Sequence, residues 1–175
     1  AGMRPGIGRL RRGPDHLGAD AVKTGMLVDT PTIQAVASRL RFHRVENLVV
    51  DPVSCAKGGD TLLAQDAIQT LIQEIFPLAT VVTPNVPEAE LLWGQRIQTE
   101  ADFRHAAEAI RQMGPQAVVM KGGHSPLHTD AVSVDYLWDG REWIALEGRR
   151  SPSRNTHGTG CTFSAAICAL LAKGE

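Results

Sequence analysis

The run Asn155-Thr156-His157-Gly158-Thr159-Gly160-Cys161-Thr162-Phe163-Ser164-Ala165-Ala166 puts a glycine-rich turn directly ahead of a helix of small residues, with a thiol at the junction. Backbone N–H groups in such a turn, with the unpaired N–H groups of a first helical turn, form a pocket for an anion. Negative charge on a thiol is also favoured at a helix start. Gly158, Thr159 and Gly160 are therefore candidate anion-cradle residues and Cys161 a candidate proton acceptor. An anion cradle beside a proton acceptor is what transfer of a phosphoryl group to a hydroxyl needs. A glycine-rich turn can also serve only to bend the chain, so the weight of this motif depends on its company upstream.

Other chemistry-bearing residues stand where short apolar runs end. The first run ends at Gly25-Met26, the second at Asp51-Pro52-Val53, the third at Thr83-Pro84-Asn85 and the fourth at Lys121-Gly122-Gly123-His124. If the runs are strands of one parallel sheet, all four ends gather at one edge, where open α/β sheets bind ligands. Asp51 could hold a cation or simply start the turn that Pro52 enforces. Asn85-Val86-Pro87-Glu88 reads as a capping box with a proline near the helix start. The same two residues could also act on a ligand, Glu88 near a magnesium ion and Asn85 near phosphates. Lys121, followed by two glycines, suits an ammonium facing phosphate. His124 and His128 read as exposed loop histidines, and Met26 as core or pocket wall.

The positioning elements follow from hydrophobic spacing. Residues 21–27, 48–53, 80–83 and 117–121 are nearly continuous apolar runs, as in strands covered on both faces. Residues 31–42, 64–76 and 99–113 carry helical spacing, with Thr30 ahead of Pro31 and Thr99 three residues before Asp102 as start signals. Residues 131–138 and 141–146 flank Asp139-Gly140 and predict a β-hairpin with a type I′ turn. Residues 160–172 predict a final helix. The expected fold class is α/β, a mostly parallel central sheet flanked by helices in layers, plus a β-hairpin. Residues 1–16, rich in Arg, Gly and Pro, read as irregular, and 17–175 as one domain.

At 175 residues the chain is long enough for one sizeable core. It is 43% hydrophobic and 21% charged, as globular domains are. A net charge of −1 gives no electrostatic case for nucleic acid or for an anionic membrane. Arg4, Arg9, Arg11 and Arg12 crowd the opening, but Gly and Pro interrupt them and no aromatic residue accompanies them. No apolar run approaches bilayer-spanning length. Cys55, Cys161 and Cys168 form no C-x-x-C pair, and a reducing cytoplasm is their simplest home.

Taken together, the chain resembles the hydroxymethylpyrimidine/phosphomethylpyrimidine kinases of thiamine biosynthesis, within the ribokinase-like superfamily. The matching stretches are 19–27 (Ala-Asp-Ala-Val-Lys-Thr-Gly-Met-Leu), 50–53, 56–60 with Leu62-Leu63, 83–90, 119–124 and 155–166, spanning roughly residues 17 to 174. Cys161 is the sharpest element, because most ribokinase-like sugar kinases and many pyridoxal kinases carry aspartate there. The resemblance implies two successive ATP-dependent phosphorylations, first of 4-amino-5-hydroxymethyl-2-methylpyrimidine and then of its monophosphate. It implies Cys161 as the base facing the substrate hydroxyl and the amides of residues 158–161 as stabilisers of the transferred group. Asp51 and Glu88 would organise Mg²⁺, Asn85 and Lys121 would attend the ATP phosphates, and Met26 with Val53 would touch the pyrimidine. A pyridoxal-type vitamin kinase and an inactive nucleotide-binding fragment are the competing expectations.

The resemblance also implies an N-terminal strand and glycine-rich loop ahead of this chain, and further elements beyond the Cys161 helix. The expectation is a catalytic edge on a scaffold truncated at both ends. Its open sheet edge would invite pairing with another chain, so self-association into a homo-oligomer is left open.

Overall fold

The computed structural model describes residues 18–54, 63–123, 132–149 and 158–175. Expectations for residues 1–17, for the stretch around Lys57, for His124 and His128, and for residues 155–157 lie outside the described residues.

A six-stranded sheet runs in sequence order, β1 (Val22–Thr24), β2 (Leu48–Val50), β3 (Val81–Val82), β4 (Ala117–Met120), β5 (Val132–Trp138) and β6 (Trp143–Arg149). The first four strands are parallel. β5 and β6 join antiparallel to β4 and to each other. The parallel strands are linked by helices α1 (Thr30–Phe42), α2 (Gln65–Glu74), α3 (Val86–Trp93) and α4 (Glu100–Gln112), and α5 (Thr159–Lys173) follows the hairpin. The expected class, a mostly parallel sheet with flanking helices and a hairpin, is the observed one.

Alternation along the strands explains the layers. Leu48, Val50, Val82, Val118, Met120 and Tyr136 face one core shared with α1 to α4. Val49, Val81 and Val119 are buried on the opposite face, the side on which α5 packs against β1 and β2. α4 shows the helical counterpart, burying Phe103, Ala106, Ala107 and Ile110 at i, i+3, i+4 and i+7. Phe103 is fully buried against Tyr136, ring centroids 5.0 Å apart. Phe103→Ala is expected to lower unfolding free energy by about 3–5 kcal/mol, measured by denaturant titration. A loss below about 1 kcal/mol would mean that the α4–hairpin contact is dispensable to the core.

Several boundaries differ from expectation. α1 is capped by Asp29, whose carboxylate accepts from Thr32 N at 2.8 Å, so Thr30 is the first helical residue rather than the cap. α2 stops at Glu74, and Phe76–Leu78 form a 3₁₀ turn, because Pro77 disfavours an α conformation at the residue before it. β2 ends at Val50, since Pro52 has no N–H to continue a ladder. The Asp139-Gly140 turn is not type I′. Residues 139–142 form a longer loop in which Asp139 Oδ1 accepts from both Arg141 N and Glu142 N at 2.8 Å. Only Gly140 there has positive φ, so the side-chain turn replaces the two left-handed residues that type I′ requires. Among the described residues no helix is long and apolar enough to cross a membrane.

Candidate active site

The carboxyl ends of β2, β3 and β4 and the start of α5 enclose a cavity of about 390 Å³. It is lined by Asp51, Val53, Asn85, Glu88, Lys121 and Gly158 to Cys161, with Gly123, Ser133, Asp135 and Phe163. Nine of the ten candidate residues are thereby brought together. Met26 is the exception. It is 48% exposed on the loop after β1 and is absent from the cavity wall, contrary to its reading as core or pocket wall.

Asp51 sits at the centre, 1% exposed. Its Oδ1 accepts from Lys121 Nζ at 2.7 Å, and its Oδ2 accepts from Ser164 Oγ at 3.2 Å. Lys23 Nζ lies 3.9 Å from the same Oδ2. A buried carboxylate persists in this way because charge-assisted bonds replace the water it has lost. Lys121 itself is placed by backbone geometry, its N–H donating to Pro84 O at 2.8 Å across an isolated parallel bridge to Asn85. The following turn is held by Asp135, whose Oδ1 accepts from Gly122 N at 2.7 Å.

Glu88, 2% exposed, shares the cavity with Asp51. The capping box read from the sequence is present. Asn85 Oδ1 accepts from Glu88 N, and Glu88 Oε2 accepts from Asn85 N, both at 2.9 Å. Burial pushes the Glu88 carboxyl above its ordinary value, and Asp51 adds to the rise; Lys121 and the backbone N–H groups of Asn85 and Ser54 oppose it. The capping and ligand-facing readings of this pair are compatible, since the cap uses one carboxylate oxygen.

Gly158 is the N-cap of α5, with φ +80° and no side-chain cap hydrogen bond. Left-handed backbone favours glycine there, and the start of the helix is turned to the cavity. Gly160 serves a different need, because a Cβ at that position would lie 3.2 Å from Lys121 Nζ. Its hydrogen lets the ammonium approach the helix start. Cys161 is exposed, with a free thiol.

Two carboxylates and a helix N-terminus thus line one cavity, with the Lys121 ammonium paired to Asp51 and set against Gly160 at the helix start, and a thiol on the same helical turn. The carboxylate oxygens suit a hard cation, and the helix-start amides suit phosphate, with the Lys121 ammonium between them. Among the described residues no group of three or more His, Cys, Asp or Glu side chains could hold a metal ion alone. Two carboxylates completed by phosphate oxygens is the donor set that magnesium takes.

Ser164, Ser133, Asp135, Phe163 and Lys23 were not read as site residues from the sequence. A signal existed for three of them. Ser164 lies one helical turn after Cys161. Ser133 and Asp135 alternate with Val134, Tyr136 and Trp138, and so occupy the strand face opposite the core.

A family model described as phosphomethylpyrimidine kinase matches residues 10–175. The hydroxymethylpyrimidine/phosphomethylpyrimidine kinase of Bacillus subtilis is 42% identical over 161 residues, covering 92% of this chain and 59% of that protein. The thiamine biosynthesis bifunctional protein ThiED of Geobacter sulfurreducens is 47% identical over 156 residues, covering 89% of this chain and 31% of that protein. The chain therefore spans less than two thirds of the length of these relatives. Among solved structures, an ADP complex of Bacillus subtilis pyridoxal kinase superposes with TM-score 0.83 at 40% identity, covering 93% of this chain and 60% of that one. Phosphomethylpyrimidine kinase from Clostridium difficile 630 superposes with TM-score 0.75 at 36% identity, covering 89% and 61%.

Proposed function

Because the chain belongs to the phosphomethylpyrimidine kinase family, we propose that it carries the ATP-dependent phosphorylation of 4-amino-5-hydroxymethyl-2-methylpyrimidine and then of the monophosphate. The observation that carries this reading is the single cavity in which Asp51, Glu88, Lys121 and residues 158–161 meet. In each round an acceptor oxygen forms a bond to the γ-phosphorus of ATP and the bond to the ADP oxygen breaks. In the first round the acceptor is the hydroxymethyl group, whose proton leaves to a base, and in the second it is an already ionised phosphate oxygen of the monophosphate.

Cys161, at the cavity wall, takes the proton of the hydroxymethyl group. The N–H groups of the α5 start hold the transferred phosphoryl oxygens, where charge builds in the transition state. Lys121 neutralises the ATP phosphates, and Asn85, its bridge partner, lines the same wall. Asp51 and Glu88 are the residues that would hold Mg²⁺, which when bound screens the phosphate charge and orients the leaving group. Val53 is the pyrimidine contact on the cavity wall. Most of the work is positioning and charge neutralisation, as phosphoryl transfer generally requires. The free thiols at Cys161 and Cys168 suit a reducing, cytoplasmic setting.

A pyridoxal-type activity is the second reading, favoured by the likeness to the Bacillus subtilis pyridoxal kinase structure. Steady-state ATP consumption with the hydroxymethylpyrimidine and with pyridoxal in parallel separates the two. Turnover with the pyrimidine is the expected result. Turnover with pyridoxal alone would replace the first reading by the second. A folded chain that consumes ATP with neither would overturn both.

A further inference from the structure

α5 is held to the sheet in an unusual way. It carries the whole amide cradle, yet Ser164 is the one buried side chain along its fifteen residues. Phe163, Ile167 and Leu171 are only partly covered, and Leu170 is 44% exposed. The anchor of the helix start is therefore polar. Ser164 Oγ, fully buried, lies 3.2 Å from Asp51 Oδ2, 3.1 Å from Gly160 O and 3.1 Å from Cys161 O.

One hydroxyl proton serves one of these acceptors at a time. The charged carboxylate offers the stronger bond, and the other two acceptors are carbonyls of the cradle itself. The Gly160 carbonyl shares its peptide unit with the Cys161 N–H, so a bond there polarises a cradle donor. With Lys121 on Oδ1 and Ser164 on Oδ2, the Asp51 carboxylate is fixed from both sides. One hydroxyl thus touches both halves of the site, the carboxylate wall and the anion wall.

We propose that Ser164 is a positioning residue that ties the amide cradle of α5 to the Asp51 carboxylate, and so sets the magnesium-dependent part of nucleotide binding. The proposal rests on the reading of this cavity as a magnesium–nucleotide site. Alanine at 164 removes only the oxygen and favours the helix, so the fold is expected to survive.

The test is ADP affinity by titration calorimetry, for the full chain, with Mg²⁺ and separately with EDTA. Ser164→Ala is expected to weaken binding about tenfold with Mg²⁺, the scale of losing one hydrogen bond to a charged group, and less than twofold with EDTA. Asp51→Asn is expected to lose the same magnesium-dependent gain, and adding Ser164→Ala to it should change little, since residues acting through one another are not additive. Equal loss in both media would mark a merely structural serine and overturn the proposal, as would no loss in either. A further tenfold loss in the double variant would also overturn it. A wild-type chain that binds no ADP in either medium would overturn the nucleotide-site reading itself, which separates that failure from the failure of Ser164 alone.

Discussion

Cys161→Ala is expected to lower kcat by roughly 10²–10⁴-fold with the hydroxymethylpyrimidine, the span usual for a positioned acid or base, while leaving KM for ATP within about threefold. The split follows from position. Cys161 faces the cavity on the first turn of α5, and its N–H, which alanine retains, belongs to the anion cradle. Only the thiol is removed, and the thiol is assigned to the substrate proton rather than to the nucleotide. The side chain is exposed, so thermal stability should change by no more than about 0.5 kcal/mol. Steady-state kinetics at saturating ATP together with a thermal melt gives both readouts. A rate within threefold of wild type would remove Cys161 from the base role. A large drop in stability would assign it to packing instead. Cys161→Asp is the informative companion, since a carboxylate at the same place keeps a proton acceptor and should recover part of the loss.

Much of this site was legible in the sequence because it is built from local signals repeated at equivalent places. The capping box of Asn85 and Glu88, and that of Thr99 and Asp102, need only residues three apart, and both form. The convergence of Asp51, Asn85 and Lys121 needs only that β2, β3 and β4 be parallel, since their ends then share an edge. The Asp51–Lys121 ion pair is different. It joins residues 70 apart, and its existence depends on which lateral distances the sheet twist leaves at that edge. Spacing alone does not carry that information. Ser164 escaped for a related reason, because a serine among alanines in a helix looks like a neutral filler until its partner 113 positions away is known. The reading of Met26 as core or pocket wall missed the course of the backbone. β1 ends at Thr24, so the alternation that would have turned Met26 inward had already lapsed. The hairpin turn failed because Asp139 uses its carboxylate to close the loop, a side-chain competition that the Asp-Gly pair does not reveal.

Glu88→Gln is expected to separate activity from stability, and the sign follows from burial. A carboxyl whose folded value is raised above the ordinary 4.5 binds its proton more tightly folded than unfolded. Its contribution to stability is fully present below the ordinary value and is lost as pH rises through the raised folded value. Ionised Glu88 is therefore a cost to the empty protein at neutral pH. Lys121 and the N–H groups of Asn85 and Ser54 offset the desolvation that causes it only in part. Glutamine keeps the capping box, because its amide oxygen can accept from Asn85 N as the carboxylate does, and it carries no charge to desolvate. The variant should thus melt at or above the wild-type temperature at neutral pH, with the difference closing as pH falls toward the ordinary glutamate value. Turnover should fall by roughly 10²-fold or more, the scale of removing one electrostatic stabiliser from a phosphoryl-transfer site. Raising Mg²⁺ should recover part of that loss if Glu88 acts through the cation. Melts across pH and kinetics across Mg²⁺ concentration check the two halves independently. A variant that melts lower at neutral pH would show that the carboxylate is a net structural asset, and one with full turnover would remove Glu88 from the chemistry. Glutamine could fill the capping box without that cost, so a carboxylate here fits a role in which a cation relieves its charge.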